Sequence, residues 1–266
     1  MSFLIAGIGA SAGGLEAVTA LLRALPRSTG IAFIVVQHLD PHHDSQLPEI
    51  LATKTALPVS AATAGEQIKP DHVYVIPPAA ILTVEDGCID LKPRGNGRTF
   101  PVDLLFKSLA TAHGDRAIGI VLAGSDADGS LGIREIKDSG GFTFAQLPET
   151  ARFPMMPSHA IDTGCVDLAL QPSEIADELV RLGRRFQANP NSTHESEPRV
   201  ASIAGAKGEG AHLRQIFRRL RIAYGVDFTQ YKQTTINRAK IAVPKAAKKR
   251  AKRVKASPEA PQSAAS

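Results

Sequence analysis

The hexapeptide Gly9-Ala10-Ser11-Ala12-Gly13-Gly14 places a serine at the tip of a glycine-rich turn, directly after an apolar run over residues 3–8. Its glycines permit a sharp turn and close backbone approach. The helix that follows opens with unpaired N–H groups that favour developing negative charge. The spacing Gly9-x-Ser11-x-Gly13 resembles a nucleophile elbow, in which the residue after the serine donates an oxyanion-hole N–H. The same letters fit a dinucleotide fingerprint through Gly7, Gly9 and Ala12, with Asp40 as the ribose-binding acid. A tight turn with no chemistry is a third reading, and this loop alone does not choose among them.

Two further loops narrow the choice. A second apolar run, residues 31–36, ends in Gln37-His38-Leu39-Asp40, so His38 stands where a general base for Ser11 would. His42 and His43 lie further along in polar surroundings and read as surface residues; the three histidines lack a clear carboxylate partner for a metal. The third loop, Gly124-Ser125-Asp126-Ala127-Asp128-Gly129-Ser130, follows an apolar run over 118–122. Its acids could orient an imidazole, bind a cation or cap the next helix through Asp128 or Ser130. A calcium loop is excluded because Lys137 stands where a bidentate Glu is needed. The order Ser, His, Asp is no objection to a triad, since triads recur on unrelated folds.

The elements that must position these loops read as α/β. Strands are expected over 3–8, 31–36, 73–76, 117–122 and 142–145, and a hairpin joins 81–84 to 89–91 around Asp86-Gly87. Helices are expected over 13–25, 47–57, 101–113, 130–139, 156–161 and 172–184. Near-continuous apolar strands alternating with amphipathic helices predict a doubly wound, mostly parallel sheet with helices on both faces, a Rossmann-like three-layer sandwich. Sites in such sheets form at the carboxyl ends of the strands, where loops 7–14, 37–45 and 123–130 converge.

Composition bounds the rest. The net charge of +5 comes from the end of the chain, where nine of the 31 Lys/Arg and one of the 26 acids follow residue 237. Residues 1–237 therefore hold 22 basic and 25 acidic residues, so the basic balance does not describe the folded body. Cys88 and Cys165 have no metal-site spacing and read as two buried thiols in a reduced compartment. The apolar start and Ala10-Ser11-Ala12 mimic a leader peptide, but no Lys or Arg precedes them and Gly7 and Gly9 break the run. Nothing approaches the ~18 continuous apolar residues of a membrane span, so a cytoplasmic chain without membrane insertion is expected.

Residues 1–185 read as the catalytic unit and 186–211 as a linker. Residues 212–238 hold a basic amphipathic helix, and 239–266 an Ala/Lys/Arg/Pro tail expected to be disordered. No dedicated nucleic-acid partner is expected for that tail.

With the loops in view, residues 4–184 resemble the catalytic domain of the chemotaxis protein-glutamate methylesterases, the CheB family. The resemblance rests on Gly-Ala-Ser-x-Gly-Gly at 9–14, Val-Val-Gln-His at 35–38, Val73-Tyr74-Val75-Ile76-Pro77-Pro78 and Pro101-Val102-Asp103-Leu104-Leu105-Phe106. The loop from Gly124 to Gly129 and Met156-Pro157-x-x-Ala160 continue it in the same order. It implies a catalytic triad of Ser11, His38 and Asp128, with Asp126 outside it, and no cofactor or metal. The implied oxyanion donors are the N–H groups of Ala12 and Ser125. The implied substrate is a γ-glutamyl methyl ester on the cytoplasmic bundle of a methyl-accepting chemoreceptor; the family also deamidates receptor glutamines.

The chain departs from the family pattern at three positions. Ala12 stands where threonine is frequent, Ser125 where methionine is usual, and Met155 where glycine is usual. No phosphorylatable receiver domain is expected before residue 4. Residues 213–238, with Tyr224-Gly225-Val226-Asp227-Phe228 and Tyr231-Lys232, resemble the start of the CheR methyltransferases, as in methylesterase–methyltransferase fusions. No methyl-donor-binding domain is read after them, and no methyltransferase activity is expected.

Overall fold

A computed structural model of the chain describes residues 3–38, 45–95, 97 and 99–188. Asp40, His42 and His43, most of the linker, the methyltransferase-like segment and the basic tail lie outside the described residues.

In chain order the elements are β1 (Leu4–Ala10), α1 (Gly14–Ala24), β2 (Ile31–Gln37), α2 (Leu47–Ala52), β3 (Val59–Ala61) and β4 (Val73–Val75). The hairpin strands β5 (Ala80–Glu85) and β6 (Cys88–Pro93) follow, then α3 (Pro101–His113), β7 (Ala117–Val121) and α4 (Ser130–Asp138). The unit closes with β8 (Phe142–Gln146), α5 (Met155–Asp162), β9 (Leu168–Leu170) and α6 (Pro172–Ala188). Seven strands form one sheet in the order β3-β4-β2-β1-β7-β8-β9. Every pairing in it is parallel, in keeping with the doubly wound sheet read from the sequence.

The near-unbroken apolar character of β1 follows from its place at the centre of the sheet. Leu4, Ala6, Ile8 and Ala10 pack on one face with α1, α2 and α6 through Val18, Leu21, Leu51, Ile175 and Leu179. On the other face Ile5, Ile34 and Val121 meet α3, α4, α5 and the hairpin through Val102, Phe106, Ile133, Met156 and Leu82. Full burial of each Leu, Ile, Val, Phe or Met side chain among them contributes roughly 1.5–3 kcal/mol. Gly7 and Gly9 let α3 lie directly on β1: a Cβ on Gly9 would fall 2.2 Å from Val102 Cγ1, and one on Gly7 2.8 Å from Leu109 Cδ1.

The elements differ from the sequence reading in four places. The helix expected over 47–57 stops at Ala52, and Val59–Ala61 then pairs with β4 as an edge strand. Leu168–Leu170 forms the opposite edge. Both strands are three residues long and at most half-buried, too short to carry a periodic signal. The last helix runs through Ala188 rather than ending near 184, because Phe186 continues the apolar stripe of Leu179 and Leu182 and is only 6% exposed. Cys88 and Cys165 are free thiols, half-buried rather than fully enclosed.

Candidate active site

The chain leaves β1 in one direction to build β2, β3 and β4 and returns to its other side with β7, β8 and β9. The carboxyl ends of β2, β1 and β7 thus meet where the winding reverses, the usual position of a site in an open α/β sheet.

Ser11 follows β1 immediately. Its N–H donates to Ala123 O at 2.9 Å, tying it to the end of β7, and its own carbonyl accepts from the Gly14 N–H at 2.8 Å. The turn is made by Gly13, whose φ of 69° caps α1. Among the described residues the non-glycine positions with positive φ are Asp71, Ala79 and Asp86, so Ser11 does not carry the backbone strain of a nucleophile elbow. Strain is unnecessary because the glycine two residues on turns the chain.

His38 is the residue after β2. Ala10 and Gln37 are the last register pair of β1 and β2, so Ser11 and His38 leave the sheet side by side, with the His38 N–H donating to Ala10 O at 3.3 Å. The imidazole Nε2 lies 2.9 Å from Asp128 Oδ2, and Nδ1 lies 3.1 Å from Asp126 Oδ2. Two carboxylates therefore engage the ring, Asp128 and also Asp126, which the resemblance places outside the triad. The hydrogen bond to Asp128 holds the imidazole pKa above its ordinary 6.5. Burial opposes this, the Asp126 and Asp128 charges reinforce it, and Arg94 opposes it.

Asp128 is 0% exposed, a costly position for a carboxylate unless its oxygens are satisfied. Oδ2 accepts the Val102 N–H and Oδ1 accepts the Asp103 and Gly129 N–H groups, all at 2.9 Å. Val102 and Asp103 belong to the first turn of α3, which Pro101 opens. Those amides have no intrahelical acceptor, and the helix dipole favours an anion beside them. Asp103 repeats the device one helix further on, its Oδ1 accepting the Gly132 N–H of α4 at 2.7 Å. Burial raises the Asp103 pKa against that hydrogen bond, with the Asp128 charge adding to the rise.

Capping of α4 by Asp128 or Ser130, considered from sequence, does not occur. Gly129 with φ 88° is the cap residue and has no side chain to cap with, its own N–H going to Asp128 Oδ1, while Ser130 Oγ is buried without a hydrogen-bond partner among the described residues. Sequence reasoning assigned no role to Asp103 or to Gln146. Gln146 Oε1 accepts the Ala123 N–H at 3.0 Å and Nε2 donates to Thr150 O at 3.1 Å, fixing the start of the loop that carries both acids. The proline at the first helical position marks where the helpful amides of α3 lie, but not which acid they meet.

The N–H groups of Ala12 and Ser125 have no acceptor among the described residues. Ser125 is exposed and Ala12 half-buried. Gly124, between Ala123 and Ser125, lies under Met156: a Cβ there would fall 2.4 Å from Met156 Sδ and 3.0 Å from Ser11 Cβ. The Gly124 N–H donates to Phe153 O at 2.9 Å and Gly124 O accepts the Met156 N–H at 3.0 Å, stapling the loop to the start of α5. Met155 projects outward beside this staple. The space beside Gly7 and Gly9, which a dinucleotide fingerprint would leave to a pyrophosphate, is filled by α3. Among the described residues no group of His, Cys, Asp and Glu could hold a metal ion.

A family model described as CheB methylesterase matches residues 6–179. The chain belongs to the CheB methylesterase family. A protein of Leptospira interrogans, provisionally named for protein-glutamate methylesterase and protein-glutamine glutaminase activities, is 34% identical over 178 residues. That match spans 66% of this chain and 92% of the relative. The protein-glutamate methylesterase/protein-glutamine glutaminase 1 of Syntrophus aciditrophicus is 33% identical over 68% of this chain, which spans about half (52%) of that relative. The crystal structure of the Thermotoga maritima CheB methylesterase catalytic domain superposes with a TM-score of 0.63 at 28% identity, covering 68% of this chain and all (100%) of that domain. The CheB-type fold is thus the one that brings Ser11, His38 and the 124–129 loop together here.

Proposed function

We propose that this CheB-family chain is a protein-glutamate methylesterase in which Ser11 is the nucleophile, His38 the general base and Asp128 the acid that orients it. The observation that carries the assignment is the 2.9 Å contact between His38 Nε2 and a fully buried Asp128, on a ring that leaves the sheet beside Ser11. With Nε2 on Asp128, Nδ1, which meets Asp126 Oδ2 at 3.1 Å, is the nitrogen that would serve the serine.

In the reaction, Nδ1 takes the Ser11 proton as Oγ attacks the ester carbonyl of a glutamate γ-methyl ester. The oxyanion forms against the Ala12 and Ser125 N–H groups, each such donor being worth ~10²–10³ in rate in comparable sites. Collapse expels methanol, which leaves with the proton from His38. Water then attacks the acyl-enzyme with His38 again as base, and the free glutamate departs. Attack on a glutamine amide follows the same route with ammonia as leaving group.

The partners are methyl-accepting chemoreceptor cytoplasmic domains, and the site of action is the cytoplasm. No described helix is long and apolar enough to cross a membrane. Methanol release from methylated receptor, compared between wild type and Ser11→Ala, tests the reading. Loss of release in the variant supports it, and undiminished release would refute it.

A further inference from the structure

The catalytic ring is held by more acid than a triad needs. His38 Nε2 meets Asp128 Oδ2 at 2.9 Å, and Nδ1, the nitrogen that would serve Ser11, meets Asp126 Oδ2 at 3.1 Å. Among the described residues no hydrogen bond joins Ser11 to His38.

The two carboxylates are not equivalent. Asp128 is fully buried and fixed by three backbone N–H groups. Asp126 has a side chain 28% exposed, and its one backbone bond among the described residues is the Asp128 N–H received by Oδ1 at 3.0 Å. A rotation that keeps this bond can lift Oδ2 off the ring, whereas moving Asp128 would leave three buried N–H groups unpaired.

We propose that Asp126 is a positioning residue that competes with Ser11 for Nδ1 of His38, parking the imidazole between two carboxylates until the Asp126 side chain is displaced. This rests on the triad reading of Ser11 and His38. In the parked state the Nδ1 proton points at Asp126, so the nitrogen has no lone pair for the serine. When Oδ2 leaves, that proton passes to solvent and Nδ1 becomes the base. Asp126 directly follows Ser125, whose N–H is the candidate oxyanion donor, so a carbonyl docking there acts on the backbone that carries the latch.

Among the described residues the charged and titratable groups around the ring are Asp126 and Asp128 from the β7–α4 loop and Arg94 beyond β6. Asp103 of α3 faces Asp128, and His159 of α5 places Nδ1 3.1 Å from the Asp126 carbonyl.

Asp126→Asn keeps an Oδ1 acceptor for the Asp128 N–H while removing the charge, and Asp126→Gly removes the side chain. Two readouts apply to the full chain: the His38 titration midpoint by NMR, and the pH dependence of Ser11 labelling by a fluorophosphonate. Both midpoints should fall by about one pH unit in each variant, raising the labelling rate below neutral pH by about tenfold. Unchanged midpoints in both variants, or slower labelling at every pH, would overturn the latch while leaving the triad standing. No labelling of Ser11 in wild type at any pH would remove the triad reading, and the latch with it.

Discussion

The Asp128 carboxylate lies 2.9 Å from the Val102 amide nitrogen, so an acid of the β7–α4 loop rests on the first turn of the helix that crosses β1. Val102 serves twice, because its side chain fills the space beside Gly9 while its N–H fixes the acid. The packing of α3 on β1 and the orientation of His38 are therefore one structural problem.

The Asp128 carboxylate can be tested apart from its shape. Asp128→Asn should lower kcat for methanol release by on the order of 10³–10⁴, since the amide cannot accept from both the ring and the α3 amides as the carboxylate does. Asp128→Ala should in addition lower stability by ~1–3 kcal/mol, because buried N–H groups lose their acceptor. Chemical denaturation of the two variants beside the kinetic assay separates the effects. An Asn variant within tenfold of wild type would remove Asp128 from the mechanism.

Gly9→Ala tests the coupling from the other side. The added Cβ would stand 2.2 Å from Val102 Cγ1, so α3 must shift and draw its first-turn amides off Asp128. Overpacking of this kind costs ~1–3 kcal/mol. The kinetic loss should be in kcat more than in KM, accompanied by a changed His38 NMR titration. A variant that loses stability but keeps its kcat and titration would show that the helix and the acid are independent.

The sequence made the strand-loop-helix alternation legible because β1, β2 and β7 are buried on both faces and read as unbroken apolar runs. Ser11, His38 and Asp128 were legible as loop residues at one sheet edge for the same reason. Edge strands β3 and β9 were not, since three half-buried residues leave no period to detect. The second contact on His38 was also hidden. Asp126 and Asp128 share one loop, and only side-chain geometry distinguishes an acid pointing away from one on Nδ1. The role of Asp103 depends on α3 and α4 meeting, a tertiary fact without a local signature.

His113 sets an acid limit on stability. It is 5% exposed at the end of α3, with neither ring nitrogen hydrogen-bonded to the described residues. Burial, aided by the Arg116 charge, pushes its pKa down to about 4 from the ordinary 6.5. The unfolded chain therefore binds a proton at this residue before the folded one does, and stability falls as pH drops from about 6.5 towards 4. The loss is on the order of 3 kcal/mol at most. His113→Phe should flatten the stability–pH curve across that window in denaturation at several pH values. A curve as steep as wild type would assign the acid sensitivity to other groups.

Arg94 offers a test of the electrostatics of the proposed base that leaves Ser11, His38 and Asp128 in place. Its charge lowers the His38 pKa against the carboxylates that raise it. Arg94→Gln should therefore raise the pKa further and move the acid limb of kcat/KM to higher pH. Because the reaction needs neutral imidazole, activity below the midpoint should fall while the plateau at high pH is kept. The side chain is half-buried and acts through space, so the shift should shrink as salt shortens the Debye length to ~3 Å near 1 M. Kinetics across pH at low and high salt make the measurement. A shift of equal size at both salt levels, or one to lower pH, would mean that Arg94 acts on the ring by packing rather than by charge.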